Sequence, residues 1–274
     1  MPGVISKNVS HGKKSIDEDL FYNMSGDKFL IIVEHPGIVR SATKDGERLK
    51  DVFYKLGFKI FVLRDLEYHK IIFYLTAVAT LNHSRTACIC IAILTHGAEG
   101  GLLFAAEKPY PLKKLETIFE KKGLANKPKI YVVQTWKGAE EDPDCYFEID
   151  GDTALRSGVH FCDSLGDSGY GNVAPGDTDA ARKKETKADC DHVPSHADIF
   201  ILSASIKGSV SDHCENGTPM IQELCNIMEN NADEMHFADM VTIIADLVKD
   251  DNSAKQIVIN SSLRRRVQFR VTYQ

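Results

Sequence analysis

The most informative part of the sequence is the stretch Lys129-Ile130-Tyr131-Val132-Val133-Gln134-Thr135-Trp136-Lys137-Gly138. Its first half is an apolar, β-branched run bounded by Pro128 and Gly138, which is typical of a short buried strand. An upstream run, Ile89 to Leu94, has the same character and leads into Thr95-His96-Gly97. Because open α/β sheets place their sites at the carboxyl ends of parallel strands, the residues that end these two runs are the first functional candidates.

Strands and helices alternate on both sides of this stretch. Period-2 and period-3.6 patterns indicate the elements, and Gly or Pro punctuates them, as at Gly57 after a helix and Thr218-Pro219 before another. Such alternation predicts an α/β fold with a mostly parallel sheet covered by helices on both faces. The predicted strands are 29–33, 58–63, 88–95, 102–105, 129–134, 197–203, 256–260 and 267–272. One predicted helix ends at Leu56, and four others cover 67–82, 112–122, 219–228 and 236–249.

Composition divides the chain into four parts. Residues 1–28 form a polar tail without helical periodicity, and residues 29–138 and 195–274 carry the apolar elements. Between them, residues 139–194 hold ten Asp, four Glu and six Gly in 56 positions. A stretch this long, acidic and poor in apolar runs is predicted to be a flexible linker.

Bulk properties argue against several classes of function. A net charge of −6 disfavours nucleic acid as a partner, and the short basic run Arg264-Arg265-Arg266 is predicted to be a solvated strand or turn. The polar start, Met1 to Lys14, lacks the apolar core of a secretory signal, and no run is long enough to span a membrane. We therefore expect a cytoplasmic protein.

Cysteine usage points the same way. Seven cysteines are an odd number, and without a secretory signal they are expected to be reduced thiols. Cys88 and Cys90 alternate onto one face of a strand with no second pair at ligand spacing, so we interpret them as core residues. We expect no metal and no cofactor.

The two strand-end motifs, His96-Gly97 and Gln134-x-x-x-Gly138, lie 38 residues apart between His96 and Gln134 and resemble the catalytic motifs of the caspases. That family's signature is Gln-Ala-Cys-[Arg/Gln/Gly]-Gly with a His upstream. The resemblance covers about 28–138 and 195–274. It implies a caspase-like three-layer sandwich with a six-stranded, mostly parallel sheet, and it makes residues 1–28 a short prodomain.

Trp136 stands where the resemblance implies the nucleophilic cysteine. His96 then corresponds to the base, and Gly97 to a donor of a backbone N–H for the oxyanion. An indole has one N–H donor and no nucleophile, so we predict a pseudoenzyme. Thr135 and Lys137 also depart from the family pattern, which indicates natural divergence rather than an engineered knockout.

The resemblance also implies a pocket for a substrate Asp, clamped by two arginines and a glutamine. Arg40 and Gln134 match the first arginine and the glutamine. Ser211 is in register with the loop that carries the second arginine, but Asp212 and His213 replace the family's Trp-Arg pair. An Asp at that position would repel a substrate Asp, so specificity is in doubt as well as reactivity.

Other interpretations of these residues stay open. His96 could be only a hydrogen-bonded residue at a strand end. Arg40 could pair with Asp45 or Glu47 on the surface. Cys214 could be a substitute nucleophile or a structural thiol.

Partner predictions also follow from the resemblance. The strand of Gln256, Ile257, Val258 and Ile259 corresponds to the one that pairs across the caspase dimer, so we expect pairing with an active caspase or with a second copy. Asp179 resembles a linker cleavage site, which would make the chain a caspase substrate. The first hypothesis is a non-catalytic homologue that regulates a caspase in apoptosis, either as an activator or as a decoy inhibitor. The alternative is a cysteine endopeptidase with residual or relocated activity on Asp-containing substrates.

Overall fold

We describe the protein from a computed structural model. The structure describes residues 20–37, 39, 41–98, 101–137, 197–207, 217–248 and 256–269. Residues 1–19 of the predicted tail, the whole predicted linker, and the positions Arg40, Asp179, Ser211, Asp212, His213 and Cys214 lie outside these residues.

A six-stranded sheet forms the middle layer. Its strands are β1 (Asp27–Glu34), β2 (Phe58–Arg64), β3 (Thr86–His96), β6 (Lys129–Lys137), β7 (Ile199–Lys207) and β8 (Gln256–Ser261), in the spatial order β2-β1-β3-β6-β7-β8. The first five are parallel to their neighbours, and β8 is antiparallel to β7. A small hairpin of β4 (Leu102–Phe104) and β5 (Pro109–Pro111) stands apart from the sheet. The predicted mostly parallel, six-stranded α/β fold is therefore confirmed.

Helices cover both faces of the sheet. One face packs against α1 (Ala42–Lys55), α4 (Pro219–Asn231) and α5 (Phe237–Leu247), and the other against α2 (Tyr68–Ala79) and α3 (Lys113–Ile118). A short 3₁₀ turn, Lys122–Leu124, precedes β6. None of the described helices is long and apolar enough to cross a bilayer.

Strand β3 shows why the sheet needs two covering layers. Cys88 and Cys90 belong to the core on the α1/α4/α5 side, while Ile89 and Ile91 belong to the core on the α2/α3 side, and all four are buried. Successive side chains alternate between faces, so an uninterrupted apolar strand needs cover on both. The expectation that both cysteines are core residues is confirmed.

Two predicted helix boundaries are confirmed. Gly57 follows the end of α1 with a φ of 77°, a left-handed conformation that glycine adopts without a Cβ penalty. Thr218 precedes α4 and Pro219 opens it. The Thr218 hydroxyl does not cap its own helix; it donates instead to Asp45 in α1.

The C-terminal end departs from the prediction. Residues 267–269 form no strand, so the described part of the expected strand over 267–272 is wrong. Val267 and Phe269 are buried, and the Val267 carbonyl accepts a hydrogen bond from Phe237 N–H at the start of α5. The apolar pattern there reflects packing beneath a helix rather than a place in the sheet.

Candidate active site

Strands β3 and β6 bring the two predicted motifs together. They are parallel neighbours, and their register pairs Leu94 with Gln134 and His96 with Trp136. Both ladders of β6 continue past the predicted end of the strand at Gln134, as far as His96 on β3 and Lys207 on β7. The position of the expected nucleophile therefore lies within a hydrogen-bonded strand between two neighbours.

His96 is hydrogen-bonded to the backbone of Trp136, the residue predicted to stand in place of the cysteine. Its Nδ1 lies 2.9 Å from the carbonyl oxygen of Trp136. Because a carbonyl oxygen only accepts, this contact requires a proton on Nδ1. The ring nitrogen that faces position 136 is thus a donor to the main chain, and it cannot act there as a base.

Gly97 donates its N–H to the same oxygen. The distance from Gly97 N to the Trp136 carbonyl oxygen is 2.8 Å. A Cβ at position 97 would come within 2.9 Å of the Thr135 Cβ, so only glycine fits this close approach. The N–H that the resemblance assigns to an oxyanion hole already has an acceptor in this structure.

Trp136 is a core residue. Only 1% of it is exposed, and it belongs to the buried cluster on the α1/α4/α5 side of the sheet. Its Nε1 has no hydrogen-bond partner among the described residues. A buried indole N–H usually finds an acceptor, so this side chain contributes apolar area and leaves one polar group unsatisfied.

Gln134 lies on the same face, two residues before Trp136, and is fully buried. Its Nε2 donates to the Thr135 carbonyl at 3.2 Å, and its Oε1 has no partner within the described part of the chain. The predicted pocket glutamine is therefore enclosed beside the tryptophan.

Asp45 was missed as a structural residue by the sequence prediction. It was considered only as a surface partner for Arg40, with Glu47 as the other choice, but Asp45 is fully buried. Its carboxylate accepts hydrogen bonds from Thr218 N–H (2.7 Å) and Thr218 Oγ1 (2.9 Å). Burial raises the pKa of Asp45 to about 7, against the lowering effect of the bonds from Thr218 and Gln222. The Thr218-Pro219 helix start was visible in the sequence, but its partner in another helix was not.

The described cysteines offer no substitute nucleophile. Cys88, Cys90 and Cys225 are all buried. Burial raises the pKa of Cys225 to about 12, and it also raises the pKa of Cys90. A reactive cysteine needs an accessible thiolate, so these three buried thiols are inert structural residues. No group of three metal-ligating side chains occurs within the described ranges.

Strand β8 occupies one edge of the sheet. It pairs with β7 on one side, and no other described strand pairs with its outer side. Ile257 packs against the core, while Val258 and Ile259 are 39% and 41% exposed. The strand carries no charged residue and no proline, the features with which natural edge strands usually avoid pairing.

Known proteins resemble this chain in sequence and in fold. The family model described as the caspase domain matches residues 30–269. The chain belongs to the caspase family. It is 25% identical to caspase-3 of Felis catus over 252 residues, which span 85% of this chain and 79% of that protein. It is 32% identical to a caspase-like protein of Heliothis virescens ascovirus 3e over 128 residues, 43% of this chain and 41% of that one.

A solved structure supports the fold. Caspase-1 from Spodoptera frugiperda superposes with a TM-score of 0.65 at 22% identity, covering 91% of this chain and 93% of that one. Caspase-family membership and the caspase-like fold are thus established.

Proposed function

We propose that this chain is a caspase-family protein without peptidase activity, which regulates a catalytically competent caspase by pairing with it through β8 in the cytoplasm, in the context of apoptosis. The observation that carries the first half is Trp136. Its indole is buried in the core, and its carbonyl oxygen accepts both the Gly97 N–H and the His96 Nδ1–H.

Two parts of the peptidase mechanism are missing from this arrangement. Among the described residues no thiol stands beside His96, so they supply no nucleophile for a covalent acyl-enzyme. The Gly97 N–H is held by a main-chain carbonyl, so it is not available to a developing oxyanion. Restoring only one of these parts would leave the other lesion in place.

The pairing half of the proposal rests on β8. An uncharged edge strand with exposed apolar side chains presents unpaired backbone groups to another strand. The caspase resemblance implies that this strand pairs antiparallel with its copy. The opposite edge strand, β2, carries Lys59 and Arg64 and is less suited to pairing.

Titration of a competent caspase tests the proposal. Purified chain is added to the caspase while cleavage of an Asp-terminated fluorogenic peptide is followed. A saturable rise in turnover identifies an activating partner, and a saturable fall identifies a decoy. Turnover by the chain alone would overturn the pseudoenzyme assignment, and no change in the caspase's turnover would overturn the pairing.

A matched pair of variants locates the surface. Val258→Lys places a charge on β8, and Val62→Lys does so at a residue of similar exposure on β2, 43% against 39%. We expect V258K to abolish the effect on the caspase and V62K to leave it intact. The reverse result would assign pairing to the other edge.

A second candidate function is a cysteine endopeptidase with residual or relocated activity on Asp-containing substrates. It is favoured by the retention of His96 and Gly97 at a strand end in register with position 136. An electrophilic Asp-peptide inhibitor would then form a covalent adduct, detectable by intact-protein mass spectrometry. Absence of an adduct at saturating inhibitor would eliminate this function.

A further inference from the structure

Lys28 is a buried lysine at the amino end of the sheet, far from the caspase-like site. Only 7% of it is exposed. It lies near the start of β1, in parallel register with Phe58 on β2 and Cys88 on β3. Eight residues of β3 separate Cys88 from His96, or about 26 Å at the rise of a strand.

The surroundings of its ammonium group are unusual. The Nζ lies 5.5 Å from the centroid of the Phe58 ring, a cation–π contact. Among the described residues, no carboxylate forms an ion pair with it and no acceptor forms a hydrogen bond with it. Burial lowers the pKa of Lys28, against the weaker raising effect of the nearby thiols of Cys88 and Cys90. A buried cation without a counter-ion is costly, so an anion that bound beside it would be stabilised.

A cavity of about 470 Å³ adjoins this lysine. Its volume falls within the range typical of small-molecule sites. Its wall combines apolar and polar groups, and Lys28 is its one charged lining residue within the described chain. The lining residues that matter here are Phe21, Met24, Asn23, Gln268 and Lys28.

We propose that this cavity binds a small organic carboxylate with an apolar body. The carboxylate pairs with Lys28, and the apolar part lies along Phe21 and Met24. A single ammonium in a partly apolar wall suits one negative charge. Phosphate sites usually gather several donors or a bidentate arginine, and none of the described residues that line this cavity is an arginine. The proposal is independent of whether the chain regulates a caspase.

Calorimetric titration with octanoate tests it, with octan-1-ol as the uncharged probe of equal chain length. The wild-type protein is expected to bind octanoate at least tenfold more tightly than octanol. Lys28→Met is expected to weaken octanoate binding at least tenfold and to leave octanol binding unchanged.

Lys59→Met is the matched control. Lys59 lies on the adjacent strand with its Nζ 5.7 Å from the Phe29 ring, but its side chain is 59% exposed and pairs with Asp27. This variant should bind octanoate as the wild type does. Equal affinity for octanoate and octanol, equal binding by wild type and K28M, or no octanoate binding at all would each overturn the proposal.

A second measurement needs no folded variant. Reductive methylation with ¹³C-formaldehyde labels the lysine amines, and NMR then follows the titration of each one. Octanoate should raise the pKa of Lys28 and leave that of Lys59 unchanged, because an added counter-ion favours the charged amine. An unchanged Lys28 titration at saturating octanoate would contradict the assigned contact.

Discussion

The beginning of β7 and the end of β6 differ in whether their buried polar atoms have hydrogen-bond partners. Asp198, directly before β7, is fully buried, and its carboxylate accepts three hydrogen bonds: one from the Tyr22 hydroxyl at 2.7 Å and two from the Arg264 guanidinium at 2.9 Å. At the end of β6, Gln134 and Trp136 are equally buried, yet each keeps a polar atom with no described partner.

The two regions of the sheet therefore differ in how much their buried polar groups stabilise the fold. Buried polar groups in native proteins are nearly always paired, and unpaired ones concentrate where sequence has been selected for something other than stability. The network around Asp198 joins residues far apart in the chain, Tyr22 with Arg264, and contributes to stability. The unpaired polar atoms of Gln134 and Trp136 at the end of β6 make no such contribution.

The largest expected effect on stability comes from removing Asp198, whose carboxylate is fully hydrogen-bonded. Asp198→Ala should lower the free energy of unfolding by about 3–4 kcal/mol, because it removes three hydrogen bonds to a buried carboxylate and leaves the buried Tyr22 hydroxyl without its acceptor, while the Arg264 side chain, 44% exposed, stays solvated. Burial opposes ionisation of Asp198, but the bonds from Arg264 and Tyr22 outweigh it and lower its pKa. Urea unfolding followed by circular dichroism measures the loss. Asp27→Ala, which removes an exposed ion pair with Lys59, is the control and should change the curve little.

The next effect concerns Trp136, at the end of β6, where buried polar atoms lack partners among the described residues. Trp136→Cys should destabilise the protein by about 3 kcal/mol, because it removes a large buried side chain and leaves a cavity. It should not restore cleavage of Asp-peptides, since the Gly97 N–H stays bonded to the carbonyl of residue 136. Trp136→Phe, the control, keeps most of the ring and should cost about 1 kcal/mol or less. Turnover by W136C comparable to that of an active caspase would show that the missing thiol is the single defect.

A smaller effect depends on pH and concerns Asp45, which links α1 to α4. Its pKa in the folded protein, about 7, exceeds the unfolded value near 4. The stability that it contributes is therefore fully present below about pH 4 and is lost as the pH rises toward 7. Linkage puts the loss on the order of 2–4 kcal/mol. Asp45→Asn should flatten this part of the stability profile, measured by urea unfolding between pH 4 and pH 8.

Parallel profiles for D45N and wild type would contradict that assignment. Because other carboxylates titrate over the same range, the difference between the two proteins is the quantity that tests it.

The smallest effect should come from Gln134. Gln134→Leu removes one weak hydrogen bond to the Thr135 carbonyl and one buried oxygen without a partner. Replacing a poorly satisfied amide by an apolar group of similar size should change stability by less than about 1 kcal/mol, toward a more stable protein. A loss above about 2 kcal/mol in urea unfolding would show that the Gln134 oxygen is bonded in solution.

The strand-end motifs were readable from the sequence because they depend on local order. Apolar runs closed by His96-Gly97 and by Gln134 to Gly138 predicted two strands of a mostly parallel sheet, and Trp136 in place of a cysteine predicted a lost nucleophile. Alternation along Cys88 to Cys90 likewise predicted a core position, since strand periodicity is fixed by the backbone.

Long-range placement was beyond the reach of these patterns. That Asp45 meets Thr218, that Asp198 meets Tyr22, and that Lys28 lies buried beside a cavity all depend on which elements become neighbours after folding. The same holds for the Gly97 N–H, whose acceptor belongs to an adjacent strand. Sequence predicted the layers and the loss of the nucleophile, because periodicity and residue identity are local properties. Tertiary structure decided which polar groups are satisfied, because their partners come from distant segments.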